Sequence, residues 1–185
     1  MSHHLKEALT GPSASVAPPI ATPAGPVIHP DGTAGSNPNG SELFNRVQTV
    51  LATYLTSSPL YKILLASIEL SSASHGHVTL KLVVLPIHVN SKAVLHGSVS
   101  STLVDLVGGL AVTSAGSPKT GLSTDMHVSF VGSAREGDTL WIDGIAERVG
   151  ATLAFTRVRV EKEVVAEGGA ERALVATGSH TKYVR

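Results

Sequence analysis

The sequence has no cysteine among its 185 residues, which excludes a disulfide framework, a cysteine-ligated zinc site and a thiol nucleophile. Charge is scarce and balanced, with 14 Lys and Arg against 14 Asp and Glu, and aromatic residues make up only 4%. Both features argue against a protein that binds nucleic acid. No apolar run reaches the roughly 18 residues needed to cross a bilayer, so no membrane span is expected. Hydrophobic residues still make up 42%, which predicts a protein with one real core.

Residues 1–40 differ in composition from the rest of the chain. They hold seven of the ten prolines and few large apolar side chains. Such a segment cannot offset its chain entropy by burial, so we predict a disordered Pro/Gly/Ala/Ser-rich tail and one domain over residues 41–185. The tail could be a linker, a degenerate targeting segment or a partner-binding arm. It lacks the apolar stretch of a secretory signal, so a cytoplasmic or mitochondrial protein that is not secreted is expected.

The remaining sequence predicts a helix, two strands, a long helix and four strands. Ser41 is a candidate N-cap for the first helix, which should end before Pro59. This order, with mostly hairpin connections, predicts an α+β protein in which an antiparallel sheet packs on the long helix. The predicted strands are Ile63–Leu70, His77–Leu85, Leu122–Phe130, Thr139–Arg148, Thr152–Glu161 and Ala173–Tyr183, with Glu163–Arg172 as a charged loop.

The long helix, predicted over Gly97–Ala115, is apolar around most of its circumference and carries a single charged residue, Asp105. Gly108 and Gly109 each lower the stability of the helix by about 1 kcal/mol relative to alanine. Two such residues in mid-helix predict that another backbone approaches closely there. A carboxylate among apolar neighbours is costly unless it is hydrogen-bonded. It therefore either bonds a polar group or serves as a general base or nucleophile in an apolar acyl pocket.

His96 and Gly97 stand where the long helix begins. A helix N-terminus offers unpaired N–H groups that can hold an oxyanion, although His96 could equally be a capping or packing residue. Asp105 lies eight residues beyond Gly97, about 12 Å along the helix axis, so one helix cannot bring both to the same carbonyl. If both are catalytic, two antiparallel copies of the helix are needed, and the active unit is at least a two-fold dimer.

Four segments, in this order, resemble the hotdog-fold thioesterases, in particular the branch that contains acyl-CoA thioesterase 13 (thioesterase superfamily member 2) and the phenylacetate-pathway thioesterases. The resemblance implies a hotdog fold, in which an antiparallel sheet wraps around a central helix, and a homodimer or homotetramer. The four segments are Asn90–Asp105, Gly121–Met126, Ser133–Asp138 and His180–Tyr183.

The resemblance also implies a thioester hydrolase that acts on acyl-CoA without a cofactor. Asp105 would activate water or attack the thioester itself, and Asn90 and the Gly97 N–H would polarise its carbonyl. Ser123, from the partner subunit, would orient the water, and His96 would position the loop. Apolar residues at Val99, Leu103, Leu106 and Leu110 favour a fatty or aromatic acyl group. The positions that match contacts to CoA are Phe130, Val131, Gly132, Ser133, Ala134, Arg135, Arg148, Gly150, Thr152 and Tyr183.

Several alternatives stay open on the sequence. Arg135 and Arg148 could meet phosphates or remain solvated charges. The pair His75-x-His77 has no evident third ligand, so no metal site is predicted. A hotdog fold could also serve as a non-hydrolytic acyl-CoA binder or scaffold, or as a dehydratase or isomerase, because the fold alone does not establish hydrolysis.

Overall fold

The computed structural model describes residues 38–166 and 169–185, and the tail predicted over residues 1–40 therefore lies almost entirely outside the described residues. The predicted α+β order is confirmed, with an additional short α-helix and a 3₁₀ turn at Pro86–His88. The helices are α1 (Pro38–Ser57), α2 (Pro59–Leu64) and α3 (Gly97–Ser114). The strands are β1 (Glu69–Ser74), β2 (His77–Val83), β3 (Leu122–Phe130), β4 (Thr139–Val149), β5 (Leu153–Ala166) and β6 (Gly169–Tyr183).

The six strands form one antiparallel sheet in the order β1-β2-β4-β5-β6-β3, which leaves β1 and β3 as its edges. Helix α3 packs on one face of this sheet and also contacts α1. Its apolar side chains are buried around the whole helix, as the near absence of charge predicted; Leu103, Val107 and Leu110 are fully inaccessible. The result is the expected hotdog arrangement of a sheet around a central helix. None of the described helices is long and apolar enough to cross a membrane.

The two glycines in the middle of α3 allow close packing against the sheet. A Cβ atom at Gly108 would lie 2.8 Å from Thr156 Oγ1 and 3.3 Å from His180 Nδ1, and one at Gly109 would lie 3.0 Å from Thr120 Cβ. The close neighbours are therefore side chains of β5, β6 and the segment before β3. The prediction of a close contact is confirmed, but the expectation that a backbone makes it is wrong.

Two element boundaries predicted for the first part of the chain are wrong. Helix α1 begins at Pro38, so Ser41 lies inside it rather than at its N-cap. The strand predicted from Ile63 begins only at Glu69, because Pro59 starts the short helix α2 instead. Proline is well tolerated in a first helical turn, and the Ser58 hydroxyl caps this one by accepting a hydrogen bond from the Tyr61 N–H at 3.4 Å.

The charged loop predicted over Glu163–Arg172 is also wrong, because β5 continues to Ala166 and β6 resumes at Gly169. Glu163 and Arg172 are paired across this hairpin. Both contact Trp141 of β4: its indole N–H donates to Glu163 Oε1 at 2.7 Å, and the Arg172 guanidinium lies 4.4 Å from the ring centre. These contacts give the charged side chains partners on the outer face of the sheet, so a high charge density did not mean a loop.

Candidate active site

Asp105, in the middle of α3, accepts hydrogen bonds from three side chains. The Tyr61 hydroxyl donates to Oδ2 at 2.7 Å, while Lys182 Nζ and Ser123 Oγ donate to Oδ1 at 3.0 and 3.2 Å. The donors come from α2, β6 and β3, so the fold converges on this carboxylate. Asp105 and Ser123 meet within one chain, which corrects the expectation that Ser123 comes from the partner subunit.

These contacts keep the Asp105 carboxyl ionised. Burial by itself raises the pKa of Asp105, but the hydrogen bond from Tyr61 and the charge of Lys182 outweigh it, and the pKa lies below its ordinary value of 3.8. Burial and the nearby carboxylate raise the pKa of Tyr61 well above 10, so its hydroxyl remains a donor. The site at neutral pH therefore holds a carboxylate, a protonated phenol and a lysine side chain.

His180 is a fourth neighbour of the carboxylate. Its Nδ1 lies 3.8 Å from Asp105 Oδ1, too far for a hydrogen bond, and the ring is fully buried. Burial and the charge of Lys182 lower the pKa of His180 below 6.5, which leaves the imidazole neutral at pH 7. Neither ring nitrogen has a hydrogen-bond partner in residues 38–166 and 169–185. The ring therefore fills space beneath α3 rather than forming an ion pair.

A cavity of about 230 Å³ opens beside Asp105. Of the four apolar α3 residues expected to line an acyl pocket, only Leu106 does so; Val99, Leu103 and Leu110 are buried elsewhere in the core. The expected apolar lining is therefore wrong in most of its members, and the wall is mixed in polarity. Its lining residues are Tyr54, Tyr61, Asp105, Leu106, Gly109, Thr120, Gly121, Leu122, Ser123 and Lys182.

The N-terminus of α3 carries a second group of candidate residues. His96 caps the helix, since its Nδ1 accepts from the Ser98 N–H at 3.0 Å and lies 2.8 Å from the Ser98 hydroxyl. The Gly97 N–H has no acceptor in the part of the chain that the structure describes. The Asn90 side-chain oxygen accepts from the Lys92 N–H at 2.8 Å, which fixes the loop, and its Nδ2 group has no acceptor among the described residues. Two polarising donors are therefore available at this end.

The two groups lie far apart in one chain. A Cβ atom at Gly97 would lie 3.2 Å from the Phe130 ring, whereas Asp105 contacts Ser123. Phe130 and Ser123 stand near opposite ends of β3, seven residues and about 24 Å apart. The structure thus brings Asp105 and Ser123 together, and gathers Asn90, His96 and Gly97, but it does not join the two groups.

The positions expected to contact CoA divide in the same way. Residues 130–135 follow the end of β3 near Gly97, and Phe130 and Val131 are mostly exposed. Tyr183 pairs with Leu122 at the opposite end of β3 and with Leu153, next to the β4–β5 turn. Ala134 is fully buried, so its side chain is not open to a ligand. The members of the Tyr183 end are Arg148, Gly150, Thr152 and Tyr183, and those of the Gly97 end are Phe130, Val131, Gly132, Ser133 and Arg135.

Tyr61 and Lys182 belong to the site and were not predicted as site residues. Lys182 could have been predicted, because alternate residues of β6 face inward. This alternation places both His180 and Lys182 toward α3. Tyr61 gave no such signal, since its segment was predicted to lie next to a strand rather than in a helix. No group of three His, Asp or Glu side chains in the described ranges could hold a metal ion.

Comparisons with known proteins identify the family and agree with the fold. Residues 92–169 match the family model of the thioesterase superfamily. Human acyl-coenzyme A thioesterase 13 is 32% identical over 132 residues, covering 70% of this chain and 89% of that protein. The crystal structure of zebrafish thioesterase superfamily member 2 has a TM-score of 0.66 at 28% identity and covers 77% of this chain and 98% of its own. A Streptococcus mutans protein bound to acetyl CoA has a TM-score of 0.57 at 26% identity, covering 64% and 89%. The chain belongs to the thioesterase superfamily.

Proposed function

We propose that this protein hydrolyses the thioester of an acyl-CoA to a free acid and CoA, with Asp105 acting on the water. The observation that carries the proposal is the carboxylate itself, held by three donors at the edge of a cavity in an otherwise apolar helix. The similarity to acyl-coenzyme A thioesterase 13 and to an acetyl CoA-bound structure supports the substrate class. A protein that only bound acyl-CoA would gain nothing from this carboxylate.

The reaction follows from the positions of the donors. Asp105 takes a proton from a water that Ser123 helps to orient, and the water oxygen attacks the thioester carbonyl. The Gly97 N–H and Asn90 Nδ2 donate hydrogen bonds to the developing oxyanion, and one such donor lowers the activation barrier by about 3–4 kcal/mol. Collapse of the tetrahedral intermediate breaks the C–S bond, and the proton passes to the departing CoA sulfur.

The complete site requires two chains. Asp105 with Ser123 and Gly97 with Phe130 lie at opposite ends of β3, which is an edge strand of the sheet in the part of the chain that the structure describes. If two β3 strands pair antiparallel about a two-fold axis, the Ser123 end of one lies beside the Phe130 end of the other. That pairing joins the two half-sites and the two groups of CoA-contacting positions in one step. We therefore propose a homodimer, alone or within a homotetramer.

Release of the CoA thiol tests the activity directly. Because the chain has no cysteine, a thiol reagent reports product without background from the protein. Acetyl, medium-chain, long-chain and phenylacetyl CoA form the panel, and wild type is compared with Asp105→Ala. The matched control is Glu69→Ala, which removes an exposed carboxylate from β1, at the other edge of the sheet, and should retain wild-type turnover. Equal turnover by Asp105→Ala and wild type would show that Asp105 is not catalytic, and binding without turnover would favour a non-hydrolytic binder.

Mixed dimers test the shared site. Asp105→Ala and Asn90→Ala are each expected to be inactive, yet a dimer with one chain of each has one damaged and one intact site. Free mixing in equal amounts makes half of the dimers mixed, so activity should recover to about a quarter of wild type. A protein whose sites are each built from one chain would show no recovery, as would a mixture of two Asp105→Ala preparations.

A further inference from the structure

We propose that Tyr61 is a positioning residue of this site, which holds the carboxylate plane of Asp105 while Ser123 and the water engage its other oxygen. The inference rests on the proposed hydrolysis and adds a residue to it. Tyr61 donates to Oδ2 at 2.7 Å, whereas Ser123 and Lys182 both donate to Oδ1. Tyr61 is thus the one described donor on Oδ2, and without it the carboxylate is held through Oδ1 alone.

The Tyr61 ring is itself held in place. It belongs to α2, a helix fixed at its start by Pro59 and the Ser58 cap. The ring of Tyr54 stands edge-on to it, with centroids 6.3 Å apart and planes at 72°. The Tyr54 hydroxyl in turn shares a hydrogen bond of 2.7 Å with Thr120 Oγ1, just before β3. The tyrosine pair therefore ties α1, α2 and the cavity wall to the carboxylate.

The contribution of Tyr61 is separable from that of the other groups. Its phenol is a neutral donor that stays protonated, so replacing it removes a hydrogen bond without changing the net charge. Loss of a donor to the ionised form raises the pKa of a carboxyl group. Lys182 remains beside Asp105 and His180 stays neutral, so no other group counteracts this rise in the pKa of Asp105. The titratable groups that act on Asp105 are Tyr61 of α2 and His180 and Lys182 of β6; Tyr54 of α1 acts on Tyr61, and Asp125 of β3 acts on His180.

Tyr61→Phe is the test and Tyr54→Phe is its matched control, since both remove one hydroxyl from neighbouring rings but only the first touches Asp105. In Tyr61→Phe we expect kcat for acyl-CoA hydrolysis to fall about tenfold with little change in KM, because the base is less well oriented. The acid limb of the pH profile of kcat/KM should move to higher pH. Tyr54→Phe should keep the acid limb of wild type. A Tyr61→Phe profile that coincides with that of Tyr54→Phe would overturn the proposal.

A second readout does not depend on turnover. The side-chain carboxyl of Asp105 can be followed by ¹³C NMR during a pH titration and assigned through Asp105→Asn. Its midpoint should be higher in Tyr61→Phe than in wild type and unchanged in Tyr54→Phe. If wild type hydrolyses no acyl-CoA, the proposed function fails while this titration still decides whether Tyr61 controls Asp105. An unchanged midpoint in Tyr61→Phe refutes the role of Tyr61 even if the enzyme is active.

Discussion

The ion pair between Asp105 and Lys182 is buried unequally, and this predicts which partner the fold tolerates losing. The Lys182 side chain is 4% exposed, whereas that of Asp105 is 34% exposed. Asp105→Asn keeps the shape but leaves an ammonium group buried with no carboxylate within 4.0 Å in the described chain. Lys182→Met keeps the aliphatic stem and leaves a partly solvated carboxylate that Tyr61 and Ser123 still bond. The first change should therefore destabilise the protein more.

Removing one partner of a buried ion pair costs about 3–5 kcal/mol, and pairs in solvent contribute about 0–1 kcal/mol. The exposure of Asp105 places this pair between the two limits. We expect Asp105→Asn to lower the free energy of unfolding by about 3 kcal/mol and Lys182→Met by about 1 kcal/mol. Urea denaturation followed by the fluorescence of Trp141, the single tryptophan, measures both values.

The difference in unfolding free energy between wild type and Asp105→Asn depends on pH, and the pKa of Asp105 determines its sign. The folded-state pKa of Asp105 is lower than its ordinary 3.8, so its stabilising effect is complete above that ordinary value and is lost as the pH falls through the folded-state pKa. The difference in unfolding free energy between wild type and Asp105→Asn should be constant near neutral pH and shrink on acidification below about pH 4. A larger loss in Lys182→Met, or a difference that acid does not reduce, would refute the reasoning.

Two further changes probe the packing of α3 and the extent of the domain. Gly108→Ala should lower the free energy of unfolding by about 1 kcal/mol, because the clash of its Cβ with Thr156 outweighs the gain in helix propensity; equal or greater stability in urea would contradict this. Deletion of residues 1–37 should leave the melting temperature and thiol release unchanged, since α1 begins at Pro38 and the core starts beyond it. A fall of more than about 4 °C would indicate that the segment contributes to stability.

The sequence correctly predicts those elements whose hydrophobic pattern reflects packing against a single neighbouring layer. The ends of β3 are correct, and the start of α3 at Gly97 is correct, because apolar period and glycine mark them. The hairpin around residues 163–172 was not predictable in this way. Two of its charged residues, Glu163 and Arg172, contact Trp141 of another strand, and such contacts exist only after the sheet has formed.

The site residues likewise divide into those that the sequence could reveal and those that depend on contacts formed in the fold. Asp105 stands out in the sequence as one charge in an apolar helix. Its contact with Ser123 of the same chain was not predicted, because the family resemblance implied that Ser123 comes from the partner subunit. Tyr61 could not be placed, because its role depends on α2 turning the ring back over α3, and a six-residue helix gives too few apolar positions to show a period. The separation of Gly97 from Asp105 needed only the rise of a helix, and the structure agrees with it.

The proposed base is effective through its position rather than its basicity. A carboxylate whose pKa lies below 3.8 is a weak base at neutral pH, and weak bases gain little from general catalysis. Orientation can compensate, because well-placed intramolecular groups reach effective molarities of about 10⁵–10⁸ M. Three donors from α2, β3 and β6 restrict the motion of this carboxylate, and two of them, Tyr61 and Lys182, also lower its pKa. Variants that loosen Asp105 should therefore lose rate even where they raise its pKa, which is the opposite of what a site limited by basicity would show.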